Sequence, residues 1–294
     1  MEILKLLLIL PIAFISCNSS QESEETNAVA FDSTRWIDSD LPVSLKIASD
    51  YASGVELAAI SSSAQEWSTA VENKLQFFKM GGSTPNKEYA NLSDYNDNEM
   101  GVYKLNTWSP ELPSTALAVT QLFGFQNEAG GVVISHADIL MNEETYTFST
   151  DSDDSFNYDF ETVMLHELGH FIGLSHSSFS ETSVMIPSIS LTDSNRVSSS
   201  LDRANAAYNY ELETSYSNAL IASGPSTVAI HSSIESEEED PTGINQGKME
   251  KNGIGEVRIL IHLMASGECI HEVNGKVISS HQVDLHSKRT LNSK

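Results

Sequence analysis

One eleven-residue stretch restricts this chain more than any other: His166-Glu167-Leu168-Gly169-His170-Phe171-Ile172-Gly173-Leu174-Ser175-His176. It has the form H-E-x-x-H-x-x-G-x-x-H, with three imidazoles and one carboxylate spaced to build a zinc site. Residues four apart share a helical face, so His166 and His170 can reach one ion. Glu167 is rotated by about 100° from His166. Its carboxylate then lies beside the ion and not on it, in reach of a water held there. Continued helically, His176 would point about 240° away from His170. The helix must stop between them, and Gly173 can stop it, because glycine takes the left-handed conformation common at helix ends. Three protein ligands leave a fourth position for water, the mark of a catalytic zinc site.

These residues resemble the active-site motif of the metzincin metallopeptidases. Downstream, Ser183-Val184-Met185-Ile186-Pro187 resembles the methionine turn of that group, with Met185 as the turn methionine. Ser177, after the third histidine, resembles the matrixin branch. Ala116-Leu117-Ala118-Val119-Thr120 resembles the edge strand above a matrixin cleft, and Ala137-Asp138-Ile139 with Asn142 the strand that follows it. Leu201-Asp202-Arg203-Ala204, running on to Tyr208, resembles the closing helix. The resemblance extends over residues 34–212. It implies an α/β zincin fold: a twisted mixed sheet, a long upper helix and a zinc-binding active-site helix. It also implies a zinc-dependent endopeptidase, with Glu167 as general base on zinc-bound water. A peptide substrate would lie along Ala118, Val119 and Thr120 as an added strand. The competing reading is a non-enzymatic surface lipoprotein with a structural or vestigial metal site, for which the carboxylate of Glu167 has no use. A zinc hydrolase of a non-protein envelope polymer is a third.

Three features depart from the animal matrixins that the motif resembles. Those enzymes carry a propeptide cysteine that caps the zinc, and no such cysteine is expected between Cys17 and the domain. They hold a second, structural zinc through upstream histidines, whereas only His136 precedes the motif here. No repeat suggests a propeller.

The formal net charge of −25 repels nucleic acid, so no such partner is expected. The amino-terminal residues read as an export signal: Lys5, then an apolar run at 6–15 too short to span a bilayer. Phe14-Ile15-Ser16-Cys17 resembles a bacterial lipobox, which implies cleavage after residue 16 and a lipid on Cys17. The expected location is the bacterial outer membrane or cell surface, with the membrane reached through that anchor. The second of two cysteines, Cys269, reads as a small apolar residue, and with Cys17 lipidated no intrachain disulfide is expected.

Residues 17–33 read as a lipidated tether and 34–212 as the catalytic domain. Within it, Leu41-Pro42-Val43-Ser44-Leu45-Lys46-Ile47 alternates like a strand. Leu57, Ile60, Ala64 and Trp67 recur at helical spacing, with Trp67 as a core residue. Asp159 is placed to begin the zinc helix. Asp94-Tyr95-Asn96-Asp97-Asn98-Glu99 alternates oxygens like a calcium loop but lacks its glycine, so Ca2+ competes there with a solvated turn. Asp151-Ser152-Asp153-Asp154 is open to the same two readings, or to capping the next helix. Residues 213–250 are Ser- and Glu-rich and read as a linker. Residues 251–294 read as a small β-rich tail dispensable for chemistry, with a turn at Asn274-Gly275. Its histidines, His262, His271, His281 and His286, fit no metal motif and read as surface or packing residues.

Overall fold

The computed structural model describes residues 34–127, 131–177, 182–216, 255–265 and 267–283, and the paired dipeptides 29–30 and 229–230. Cys17, the export signal, most of residues 213–250 and His286 lie outside them.

A mixed sheet carries the fold, as the resemblance implies. In chain order its strands are β1 (Val43–Ala48), β2 (Phe78–Thr84), β3 (Gly101–Leu105), β4 (Ala116–Gln126), β5 (Val132–Asn142), β6 (Gly255–Met264), β7 (Gly267–Val273) and β8 (Lys276–Val283). Across the sheet they run β8-β7-β6-β4-β5-β3-β1-β2, and Thr34–Arg35 adds a short parallel pairing beside the start of β5. The half from β5 to β2 is parallel, while β4 and the three C-terminal strands are antiparallel to their neighbours. Strand alternation divides the apolar side chains between two faces. Leu117, Ala118, Leu122 and Ile139 join the core under the helices. Val119 and Leu140 join Tyr95, Tyr103 and Trp108 on the other side.

Among the described residues three α-helices complete the architecture: α1 (Gly54–Ala70), α2 (Phe160–Phe171) and α3 (Ser200–Asn209). In α2, eleven of twelve residues are buried, the polar Thr162, His166, Glu167 and His170 among them, so the helix is covered nearly all round. Its start is fixed by Asp159, whose carboxylate accepts from the backbone N–H of Thr162 at 2.7 Å, a cap that satisfies one of the orphan donors of the first turn. Arg196 clamps that carboxylate through Nε at 3.0 and 3.1 Å. Trp67 of α1 is fully buried and donates its indole N–H to Leu165 O at 2.9 Å, which fixes the upper helix on the zinc helix. Trp36 does the same for the helix end, donating to Phe171 O at 2.8 Å.

The aspartates at 151–154 form local turns. Asp151 accepts from Asp153 N, and Asp154 accepts from Phe156 N and from Asn157. The helix cap is Asp159 alone.

The strand-rich tail is not a separate module. β6 pairs with β4 over its full length, from Gly255 opposite Gln126 to Met264 opposite Ala116. Val257, Ile259, Ile261 and Leu263 enter the core under the helices, and Leu260 and Met264 enter the opposite one. The polar composition that precedes β6 suggests a domain boundary, but an alternating strand needs a sheet edge, and β4 offers one. The turn at Asn274-Gly275 joins β7 to β8 as expected, with both residues at positive φ, 51° and 76°.

Cutting the chain at residue 213 would therefore remove six buried apolar side chains, Val257, Ile259, Ile261 and Leu263 from one core and Leu260 and Met264 from the other. Each is worth about 1.5–3 kcal/mol when fully buried, against a net stability of about 5–15 kcal/mol for a typical domain. The shortened chain is expected to unfold at clearly lower urea and to aggregate through the bared edge of β4. A urea midpoint equal to that of the full chain would show that β6 adds nothing to the core.

Candidate metal centre

His166 and His170 lie one turn apart on α2, and their Nε2 atoms are 2.8 Å apart. His176 returns from the loop after the helix, with its Nε2 3.0 Å from that of His170 and 3.2 Å from that of His166. The reversal is made at Gly173, whose φ is +88°. There Gly173 N donates to His170 O and Leu174 N to Gly169 O, which closes the helix end. A Cβ on Gly173 would lie 1.8 Å from Thr34 O. Both the conformation and the contact require glycine, as the spacing predicts.

The three rings are held for metal binding by their other nitrogens. His166 Nδ1 donates to Val184 O at 2.7 Å, and His170 Nδ1 to Leu174 O at 2.7 Å. A carbonyl only accepts, so in both rings the proton sits on Nδ1 and the lone pair on Nε2. Burial pushes His166 down to about 4 and His170 well below the usual histidine range. Both are therefore neutral at ordinary pH and present bare lone pairs toward each other, an arrangement that a cation relieves. A tetrahedral zinc with nitrogen ligands at about 2.0–2.1 Å spaces them about 3.3–3.4 Å apart, close to the observed triangle. This triad is the only such group of three among the described residues.

Beside it, Glu167 is fully buried. Thr120 donates its hydroxyl to Oε2 and lies 3.0 Å from Glu167 O, while Oε1 has no hydrogen-bond partner. Burial pushes the carboxyl up to about 8, partly offset by the Thr120 bond.

Met185 packs beneath the helix. A Cβ at Gly169 would meet its Sδ at 2.4 Å and Trp67 Cζ2 at 2.7 Å, so the glycine inside the motif admits the methionine. Ser177 N donates to Met185 O at 2.7 Å, tying the third ligand's loop to the turn. Asp202 anchors the turn from α3. Its carboxylate accepts from Ser183 Oγ, from Val184 N at 3.0 Å and from Ser199 N at 2.8 Å. Asp202 thus holds Val184, whose carbonyl orients His166. Its sequence signal was the Ser199-x-x-Asp202 capping pattern, which places an acceptor at both ends of a first helical turn.

Two readings are corrected. The edge at Ala118, Val119 and Thr120 is not open: β6 pairs there, with Ala118 opposite Leu263, Val119 opposite His262 and Thr120 opposite Ile261. Thr120 reaches the site through its hydroxyl instead. His271 is not a surface residue. It is buried on β7, with Nε2 3.1 Å from His176 Nδ1. If His176 presents its Nε2 lone pair to a metal, its Nδ1 carries the proton and His271 accepts it, so His271 completes the outer partners of the ligand set. His262, by contrast, is buried on β6 as a packing residue would be. His136 pairs with Asp138 at 2.8 Å, and Asn142 accepts from Thr145 N and donates to Ala116 O.

The loop at 94–99 gives no calcium cage. Lys87 Nζ lies 2.7 Å from Asp97 and 3.1 Å from Glu99, so an ammonium already meets those carboxylates. Asp94 accepts from Asn91.

Residues 118–210 match the matrixin family model. That span contains the triad, Glu167, Met185 and Asp202. Over that span the chain resembles the matrixin metzincins. Over 74 residues it is 38% identical to matrix metalloproteinase-2 of Drosophila melanogaster, an alignment covering 22% of this chain and 10% of the relative. The chain thus spans about a tenth of that relative's length. The family match ends at residue 210, before β6, so His271 lies outside it.

His271→Ala is expected to weaken zinc binding by roughly tenfold or more, measured by competition with a chromophoric chelator. His170→Ala, which removes a ligand, should lose zinc outright. An unchanged zinc affinity in the His271 variant would reduce that residue to packing.

Proposed function

We propose that this matrixin-like chain is a zinc-dependent endopeptidase working at the cell envelope. One observation carries the reading: three Nε2 atoms converge beside a buried carboxylate that keeps one oxygen without a partner. His166, His170 and His176 would hold the zinc, which polarises a scissile carbonyl and lowers the pKa of water toward neutrality. The protein's own residues then manage the proton. Thr120 fixes Oε2 of Glu167, which leaves Oε1 to take a proton from the attacking water. The same carboxyl gives that proton to the leaving amine. Met185 and Gly169 keep the helix floor rigid beneath the ligands.

Glu167→Gln keeps the size of the side chain and removes the base. Peptide cleavage is expected to fall by about 10²–10⁴-fold, with zinc content unchanged by elemental analysis. Activity within about threefold of the original chain would place the base elsewhere.

The envelope location rests on the lipobox-like residues 14–17. No helix among the described residues is long and apolar enough to cross a membrane. Cys17→Ser, which removes the thiol that takes the lipid, is expected to move the protein from the membrane to the soluble fraction. Equal membrane association of the two forms would point to an uncleaved amino-terminal anchor.

A further inference from the structure

The peptidase reading needs a peptide to reach Glu167 and the triad, yet His166, Glu167 and His170 have no exposed surface and His176 is 8% exposed. The cover is a piece of the same chain. Thr120, Ile261 and His271 are opposite one another on β4, β6 and β7. Directly opposed residues face the same side of a sheet. Thr120 bonds Glu167 and His271 bonds His176, so Ile261 sits in the row between the base and the third ligand.

β6 is also held as an extended peptide would be. It runs antiparallel along β4. At its far end it lies parallel to the segment just after Met185, where Met264 N donates to Pro187 O at 3.1 Å and Ile189 N to Met264 O at 3.3 Å. Its backbone is therefore bonded on two sides, by β4 along its length and, on the other side, by β7 at residues 259–261 and by that loop at Met264. Along its site-facing side, Val257, Ile259, Ile261 and Leu263 present one aliphatic residue at every second position.

We infer that β6 is an intramolecular occupant of the site's extended-peptide slot, latched by His271 on His176, and that substrate enters by taking its place on β4. This rests on the endopeptidase reading above. It assigns the closed form to the chain's own C-terminal hairpin, and it names the ligand class as an extended segment with aliphatic residues at alternate positions. Displacement conserves most of the interaction: the incoming strand restores the backbone bonds and apolar cover that β6 gives up.

The test locks the hairpin without touching the site. Phe125 and Glu256 face each other at the end of the β4–β6 pair remote from the triad. Phe125→Cys with Glu256→Cys, in a full chain also carrying Cys17→Ser and Cys269→Ser, gives a disulfide that dithiothreitol opens. Closure is checked by mass. A fluorescein-labelled peptide of the sequence 255–264 is then titrated against the Glu167→Gln form of this variant and followed by anisotropy. Binding in the reduced form, weakened roughly tenfold or more by the lock, is the expected result. Equal affinity in both forms, or no binding to the reduced form at saturating peptide, overturns the latch and makes β6 a permanent strand.

The same variant with Glu167 restored separates the two readings. Cleavage of a fluorogenic peptide in the reduced form only supports both. A reduced form that binds the labelled peptide and cleaves nothing ends the endopeptidase reading while the latch stands. Equal cleavage by locked and reduced forms ends the latch and keeps the endopeptidase.

Discussion

Three imidazoles forced together with their Nε2 atoms converging are an unfavourable arrangement, and the surrounding structure is organised to impose it. Left free, each ring would rotate to give its unprotonated nitrogen a donor. Val184 O and Leu174 O prevent this by fixing the Nδ1 protons of His166 and His170. Burial prevents escape by protonation, because a charged imidazole without a counterion is costly in a dry core. The strain is removed by a cation, so metal affinity is built into the packing before any metal arrives. Gly173 belongs to the same constraint: without its left-handed turn the third ring would point away from the other two.

From that constraint the roles of distant residues follow in order. Val184 can hold His166 only if its own loop is held, and Asp202 holds it from the first turn of α3. Asp202 in turn is fixed by Ser199, so the closing helix acts on the metal through one carboxylate. The helix bearing two ligands must not shift, and Trp67 and Trp36 pin its carbonyls at the middle and at the end. Gly169 then lets Met185 approach closely enough to fill the space beneath. Apart from the local Ser199–Asp202 cap, each of these contacts joins separate elements and ends on the zinc helix or on the loop that orients a ligand.

Local features were legible in the sequence. The triad, the helix stop at Gly173 and the cap at Asp159 depend on spacing within a few residues, so their chemistry can be read directly. Strand and helix positions also followed from periodicity, with Trp67 correctly inside. Partnership between remote strands could not be read the same way. The alternation in β6 is identical whether it pairs within a small module or along β4, and the polar residues before it favoured the first interpretation. His271 was missed for that reason alone: its role exists only once β6 lies on β4 and β7 on β6, which sets it opposite Ile261. Thr120 was placed on the right strand, but the side of that strand it faces carries its function. At 94–99 the acidic pattern concealed the cation already provided by Lys87, seven residues before the run begins.

The cover over the site does more than exclude solvent. Ile261 stands directly opposite Thr120, whose hydroxyl holds the carboxylate of Glu167, so the strand laid on β4 decides what faces that row. A substrate strand that lies on β4 in place of β6 would restore the apolar cover when its residue at the Ile261 position is aliphatic. A polar residue there would enter a buried row with no partner to satisfy it, so the slot favours aliphatic segments through the same register that holds β6.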